Sequence, residues 1–221
     1  MSAPRARRRR PARRPGRSDR RVWIALVVLG GIVLAWLVAT LNPANERADD
    51  IPPTALDAYQ KAAKGAEEFD RPCHDLDWQV LAGIGRVESK HANGGKLDDT
   101  GRADPPIFGA RLDGSGAGGN VTGHGDTDGG ELDGDAEYDR AVGPMQFIPL
   151  TWSELGQDGN GDGQKDPQNI YDASLAAARI ICGNQERDLQ DDATLRAAIK
   201  RYNNSGQYVD EVLTWADRYG R

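Results

Sequence analysis

Glu88 is the first residue of this 221-residue chain whose position invites chemistry. It follows Val87 and stands four and seven residues after Ile84 and Leu81, spacings that put a carboxyl group on the apolar face of its own helix. A carboxyl group deprived of water resists ionisation, so its pKa rises toward neutrality and it can donate a proton at neutral pH. Arg86 and Lys90, two residues away on either side, face elsewhere. The plain alternative is a carboxylate that ends its helix in solvent. A second grouping is rich in oxygen: Asp158, Asn160 and Asp162, then Gly163 and Gln164. Side-chain oxygens at positions one, three and five, Gly at six and a main-chain carbonyl at seven match the opening of a Ca²⁺ loop. Position twelve is Asn169 rather than Glu, so a standard EF-hand is not complete, and a polar turn is the alternative. The string Asp126, Asp128, Asp133 and Asp135 fits no cation loop and reads as a solvated turn. His74, His91 and His124 have no metal-ligand spacing, and no zinc is expected.

The elements that must carry these residues come in unlike blocks. Residues 1–21 hold ten Arg and one Asp, residues 22–41 hold no charge, and the remainder holds 18 Lys and Arg against 33 Asp and Glu. Val22 to Leu41 is apolar on every face, has Trp23 and Trp36 toward its ends, and is long enough to cross the roughly 30 Å of bilayer hydrocarbon. It is read as one transmembrane helix, with a cleaved signal peptide and a buried core helix as competitors. The Arg tail on one flank places the amino terminus in the cytoplasm and the acidic body outside, as a single-pass protein of the cell membrane. So acidic a body lacks the basic footprint of a nucleic-acid binder. The expected division is tail 1–21, membrane helix 22–41, linker 42–53 and one folded domain 54–221. Cys73 and Cys182 would lie in the outer compartment, where disulfides persist, and are expected to pair; two buried thiols are the alternative.

In the body, Thr54 reads as the N-cap of a helix with Leu56, Tyr59, Ala63 and Ala66 on one face, and Asp77 as the cap of the helix bearing Glu88. Residues 93–139 are rich in Gly and Asp, lack periodicity and are long for a loop. Helical periodicity returns over 151–155, 172–182, 192–202 and 208–219, and no alternating strand pattern is seen. The fold class expected is mainly α, with a long irregular segment and one preceding membrane helix.

Three segments then stand in order: Glu88-Ser89 at a helix end; Gly143-Pro144-Met145-Gln146-Phe147-Ile148-Pro149 followed by Thr151-Trp152; and Arg201-Tyr202-Asn203-Asn204-Ser205, closed by Tyr208. With them, residues 51–221 resemble the lytic murein transglycosylases, most closely the membrane-bound lytic murein transglycosylase B family. The resemblance implies a lysozyme-like helical core and non-hydrolytic cleavage of the bond between N-acetylmuramic acid and N-acetylglucosamine in peptidoglycan glycan strands, leaving 1,6-anhydro ends. By the same resemblance Glu88 is the catalytic acid and then the base, Ser89 and Tyr202 orient its carboxyl, Gln146 and Asn203 hold the sugar's polar groups, and Met145 and Phe147 line the apolar wall. The resemblance also implies a variant cation loop closed by a later carboxylate, so Asp158, Asn160, Asp162, Gln164 and Asp172 become the ligands of a structural Ca²⁺; catalysis needs no cofactor. No Cys follows the apolar run to carry a lipid, so the helix would hold the protein to the membrane. Read without the resemblance, Gly143-Pro144 is a turn, Met145 and Phe147 are core, and Tyr202 completes an apolar stripe. Two other functions stay open: a muramidase that uses water, and a non-catalytic, membrane-anchored peptidoglycan binder or scaffold.

Overall fold

The computed structural model describes residues 47–69, 73–117, 123–183 and 188–221. These residues are mainly helical: α1 (Pro53–Gly65), α2 (Trp78–Gly95), α3 (Pro149–Leu155), α4 (Ile170–Cys182), α5 (Asp192–Tyr202) and α6 (Gly206–Arg218). Between α2 and α3 lies one small antiparallel sheet of β1 (Phe108–Arg111) and β2 (Arg140–Val142). The basic tail and the membrane helix expected over 22–41 lie outside the described residues. Among those described, no helix is long and apolar enough to cross a membrane.

Helix α2 carries Glu88 and is wedged between α6, α1 and α4. Its stripe of Val80, Leu81 and Ile84 is fully buried, and burying such side chains stabilises by about 1.5–3 kcal/mol each. Two glycines let the neighbours come close. A Cβ at Gly83 would stand 2.5 Å from the Val212 carbonyl oxygen of α6, and one at Gly85 would overlap the Tyr59 hydroxyl of α1.

The helix starts follow local chemistry. Helix α1 begins at Pro53, with no side-chain cap. Thr54, expected as the cap, is therefore inside the helix, because a proline in the first turn has no N–H to satisfy. Asn169 caps α4 by accepting from the Tyr171 N–H at 2.9 Å, so that helix starts two residues before the expected Asp172. Ser205 accepts from the Tyr208 N–H and starts α6 at Gly206. The sheet was not visible as alternation because its strands have four and three residues and their register is irregular.

The Asp string is a turn, as expected, but its carboxylates are engaged rather than merely solvated. Asp133 is buried and accepts from the Asp135 and Arg140 N–H groups, while Asp135 is paired with Arg111. Asp126 accepts from the Gly129 and Gly130 N–H groups, and Asp128 from that of Leu132. A segment without a ladder has backbone donors to satisfy, and these carboxylates do so from within.

Cys73 and Cys182 form a disulfide that ties the chain before α2 to the end of α4, across 109 residues. On the chain-entropy account a loop of that size adds about 4.7 kcal/mol. The Cys73→Ser/Cys182→Ser protein should melt about 10 °C or more below the wild type. Equal melting temperatures would show that the bridge contributes nothing to the fold.

Candidate active site

The right-handed part of α2 ends at Ser89, one residue after Glu88. Lys90, His91, Ala92 and Asn93 have φ of 53 to 57°, and Gly94 follows at 79°, so the chain winds left-handed for one turn. A non-glycine residue in that conformation costs roughly 1–2 kcal/mol. Ser89 serves this turn rather than the Glu88 carboxyl: its hydroxyl accepts from the Ala92 N–H at 2.9 Å and faces the Gly85 carbonyl at 3.5 Å. The abrupt end leaves Glu88 projecting into a cavity of about 420 Å³, within the range of small-molecule sites.

Of the residues singled out in the sequence, Glu88, Gln146, Phe147, Tyr202 and Asn203 line this cavity together. Met145 does not. Its side chain is in the core, and its carbonyl accepts from the Tyr202 hydroxyl at 2.5 Å. Tyr202 is thereby spent on holding the Gly143–Pro149 segment, and its ring packs edge-on to Phe147 at 5.9 Å. Gln146 sits at φ 53° with its Nε2 donating to the Gly143 carbonyl at 2.9 Å. Gly109, Ala110 and Leu112 supply part of the wall from β1 and the residue after it, with Ile148 and Thr151 on the α3 side. The part contributed by residues 93–139 has no sequence signal, because small residues on a three- or four-residue strand leave no periodicity.

The partner of Glu88 is Tyr208, whose hydroxyl donates to Oε1 at 2.6 Å. Tyr208 is buried in the first turn of α6 and stacks on Tyr202, with ring centroids 6.4 Å apart and planes 6° from parallel. Burial pushes the Glu88 carboxyl up to about 7, and the Tyr208 bond opposes the rise without cancelling it. Burial, with the Glu88 charge behind it, raises both tyrosine hydroxyls, so they stay protonated and act as donors. In the sequence Tyr208 stands out only as the end of a motif; the Ser205 cap, which sets it in the first turn of α6, is the available signal. Glu88 is the single Asp or Glu among the described residues that line the cavity. At neutral pH the arrangement can donate a proton and take it back.

The Asp158 loop lies apart from this cavity's lining. Asp158 accepts from the Gly161 and Gly163 N–H groups at 2.7 and 2.9 Å. Asp172, buried at the start of α4, accepts from the N–H groups of Gly159 and Asp166 at 2.8 and 2.9 Å. Asn160 Nδ2 bonds Asp162 at 3.0 Å. The donor set is all hard oxygen, which suits Ca²⁺ rather than Zn²⁺. Asp126, Asp128 and Asp139 also bring one oxygen each within 4.8 Å of one another.

No family model and no curated protein matches the chain. Among solved structures it is similar to the Escherichia coli lytic transglycosylase Slt35 in complex with bulgecin A. The identity is 15%, the TM-score is 0.43, and the match covers 84% of this chain and 82% of that one. At that likeness neither fold family nor activity transfers.

Because Glu88 binds its proton more tightly in the folded chain than at its ordinary 4.5, ionising it destabilises the fold, and stability declines as pH rises from about 4.5 to about 7. Glu88→Gln removes that cost. The variant should match the wild type at pH 4 and exceed it at pH 8, by on the order of 3 kcal/mol in urea unfolding. A difference that does not change with pH would mean the carboxyl titrates normally.

Proposed function

We propose that this protein cleaves the glycosidic bond between N-acetylmuramic acid and N-acetylglucosamine in peptidoglycan without water, leaving 1,6-anhydro ends. The observation that carries the proposal is Glu88, a half-buried carboxyl poised near neutrality in a sugar-sized cavity whose described lining offers no second carboxylate. Glycosidases that use two carboxyl groups need the second as nucleophile or to activate water. A single carboxyl suffices when the attacking group is already part of the substrate.

Tyr208 donates to Oε1, so the proton of the neutral acid sits on Oε2, and from there Glu88 protonates the leaving oxygen. The C1–O bond breaks with an oxocarbenium-like centre at the muramic acid. The same Tyr208 bond stabilises the new carboxylate, which removes the proton of the sugar's own C6 hydroxyl as that oxygen closes on C1. The acceptor is intramolecular, so little entropy remains to be lost and no water must be held. Gln146 and Asn203 are the cavity's amides for the sugar's polar groups, and Phe147 is its apolar wall.

Purified peptidoglycan digested with this protein should yield 1,6-anhydro muropeptides by mass spectrometry, and Glu88→Gln should reduce them at least about 10²-fold while still binding the polymer. New reducing ends would mean hydrolysis by water, and intact polymer would mean a binding protein.

The Asp158 loop is proposed to hold a structural Ca²⁺ through Asp158, Asn160, Asp162, the Gln164 carbonyl and Asp172. Burial raises the Asp172 carboxyl, with the Asp158 charge also acting against it; a cation there would offset both. Ca²⁺ should raise the melting temperature by mass action, and Asp158→Ala/Asp162→Ala should abolish the rise. A melting temperature indifferent to Ca²⁺ and to chelator would reduce the loop to a polar turn.

A further inference from the structure

Three residues beyond Glu88 stands a buried polar group that the proposed chemistry does not use. His91, in the left-handed turn, is 4% exposed. Its Nδ1 is 3.1 Å from the Tyr59 hydroxyl and its Nε2 is 2.9 Å from the Tyr219 hydroxyl. Tyr59 belongs to α1 and Tyr219 directly follows α6, the two helices that α2 approaches through its glycines. The ring centroids stand 5.7 and 5.8 Å from that of His91.

We propose that Tyr59, His91 and Tyr219 are positioning residues for Glu88: they hold the left-handed turn that stops α2, and through it set the direction in which the carboxyl enters the cavity. Four consecutive non-glycine residues in this conformation are not self-supporting, since single residues visit it and runs do not. Backbone outliers of this kind persist only where surrounding contacts over-determine them. A neutral imidazole has one donor and one acceptor, so one tyrosine hydroxyl donates to the ring and the other accepts from it, and both ring nitrogens are satisfied. Burial, with Arg86 nearby, holds His91 down to about 3, so the set stays neutral across the working range. Among the described residues, the titratable groups that face Glu88 itself are Tyr208 and Tyr202. Ser89, next to Glu88, completes the link through its bond from the Ala92 N–H. With only Ser89 between carboxyl and turn, a small rotation of the turn moves Glu88 relative to a fixed Tyr208.

The activity arm of the test rests on the proposed transglycosylase reaction; the titration arm does not. Tyr219→Phe and His91→Phe are measured well below their own melting temperatures, with circular dichroism to verify folding. The expected result is a kcat for anhydro product lowered up to about 10²-fold, as for a reacting group misplaced by about 1 Å, with KM for soluble glycan fragments unchanged. The Glu88 carboxyl titration, followed by ¹³C NMR, should move by about 0.5 pH unit or more. A purely structural role would lower the melting temperature and leave kcat and the titration at wild-type values, which overturns the proposal. If His91→Phe does not fold, Tyr219→Phe decides. If the wild type releases no anhydro product, the functional reading fails and the titration alone decides: a moved midpoint supports positioning, and an unmoved one overturns it.

Discussion

A carboxyl group kept from water must be held by something, and at the end of α2 the holder is the 2.6 Å hydrogen bond from Tyr208 to Glu88. One hydrogen bond replaces only part of the hydration a carboxylate loses, so the neutral acid is the easier state to bury. Much of the described fold serves that bond. Gly83 and Gly85 let α6 and α1 close on α2, the Ser205 cap sets Tyr208 in the first turn of α6, and Tyr208 stacks on Tyr202. Tyr202 in turn grips the Met145 carbonyl and so fixes the segment that brings Gln146 and Phe147 to the cavity. Carboxyl, stacked tyrosines and cavity wall are one chain of contacts.

That chain ends in a costly piece of backbone. Four non-glycine residues wound left-handed after Ser89 cost on the order of 4–8 kcal/mol together, comparable with the whole net stability of a domain. The buried face of α2, to which Ala92 of the turn belongs, and the doubly bonded His91 offset that cost. A destabilised element beside a reactive group is a common exchange of stability for function.

Glu88 was legible in the sequence because a charge on an apolar helical face breaks a strong pattern, and the start of α2 was legible at Asp77, although that side chain makes no capping bond; the caps that Asp191 and Ser205 do form were not read. Met145 was ambiguous for the opposite reason: an apolar residue beside Gly-Pro suits core and cleft alike, and only the fold assigns it to the core. The role of Ser89 could not be read, because a run of four non-glycine residues in the left-handed region has no sequence signature, although His and Asn singly visit that region more than most. Nor could the pairing of His91 with tyrosines 32 and 128 residues away. The wall from β1 was hidden by its small residues. The acidic string was legible as a turn, but not the bonding of its carboxylates, because their partners are mostly backbone N–H groups, which composition does not reveal.

The central claim is that burial holds the Glu88 carboxyl protonated near neutral pH against the pull of Tyr208. Titrating the wild-type protein with ¹³C-labelled glutamate by NMR, with the Glu88→Gln spectrum assigning the resonance, measures this directly. The account predicts a midpoint of about 7. A midpoint at the ordinary carboxyl value of 4.5 would contradict it, because the group would then be an ordinary carboxylate with no proton to give at neutral pH.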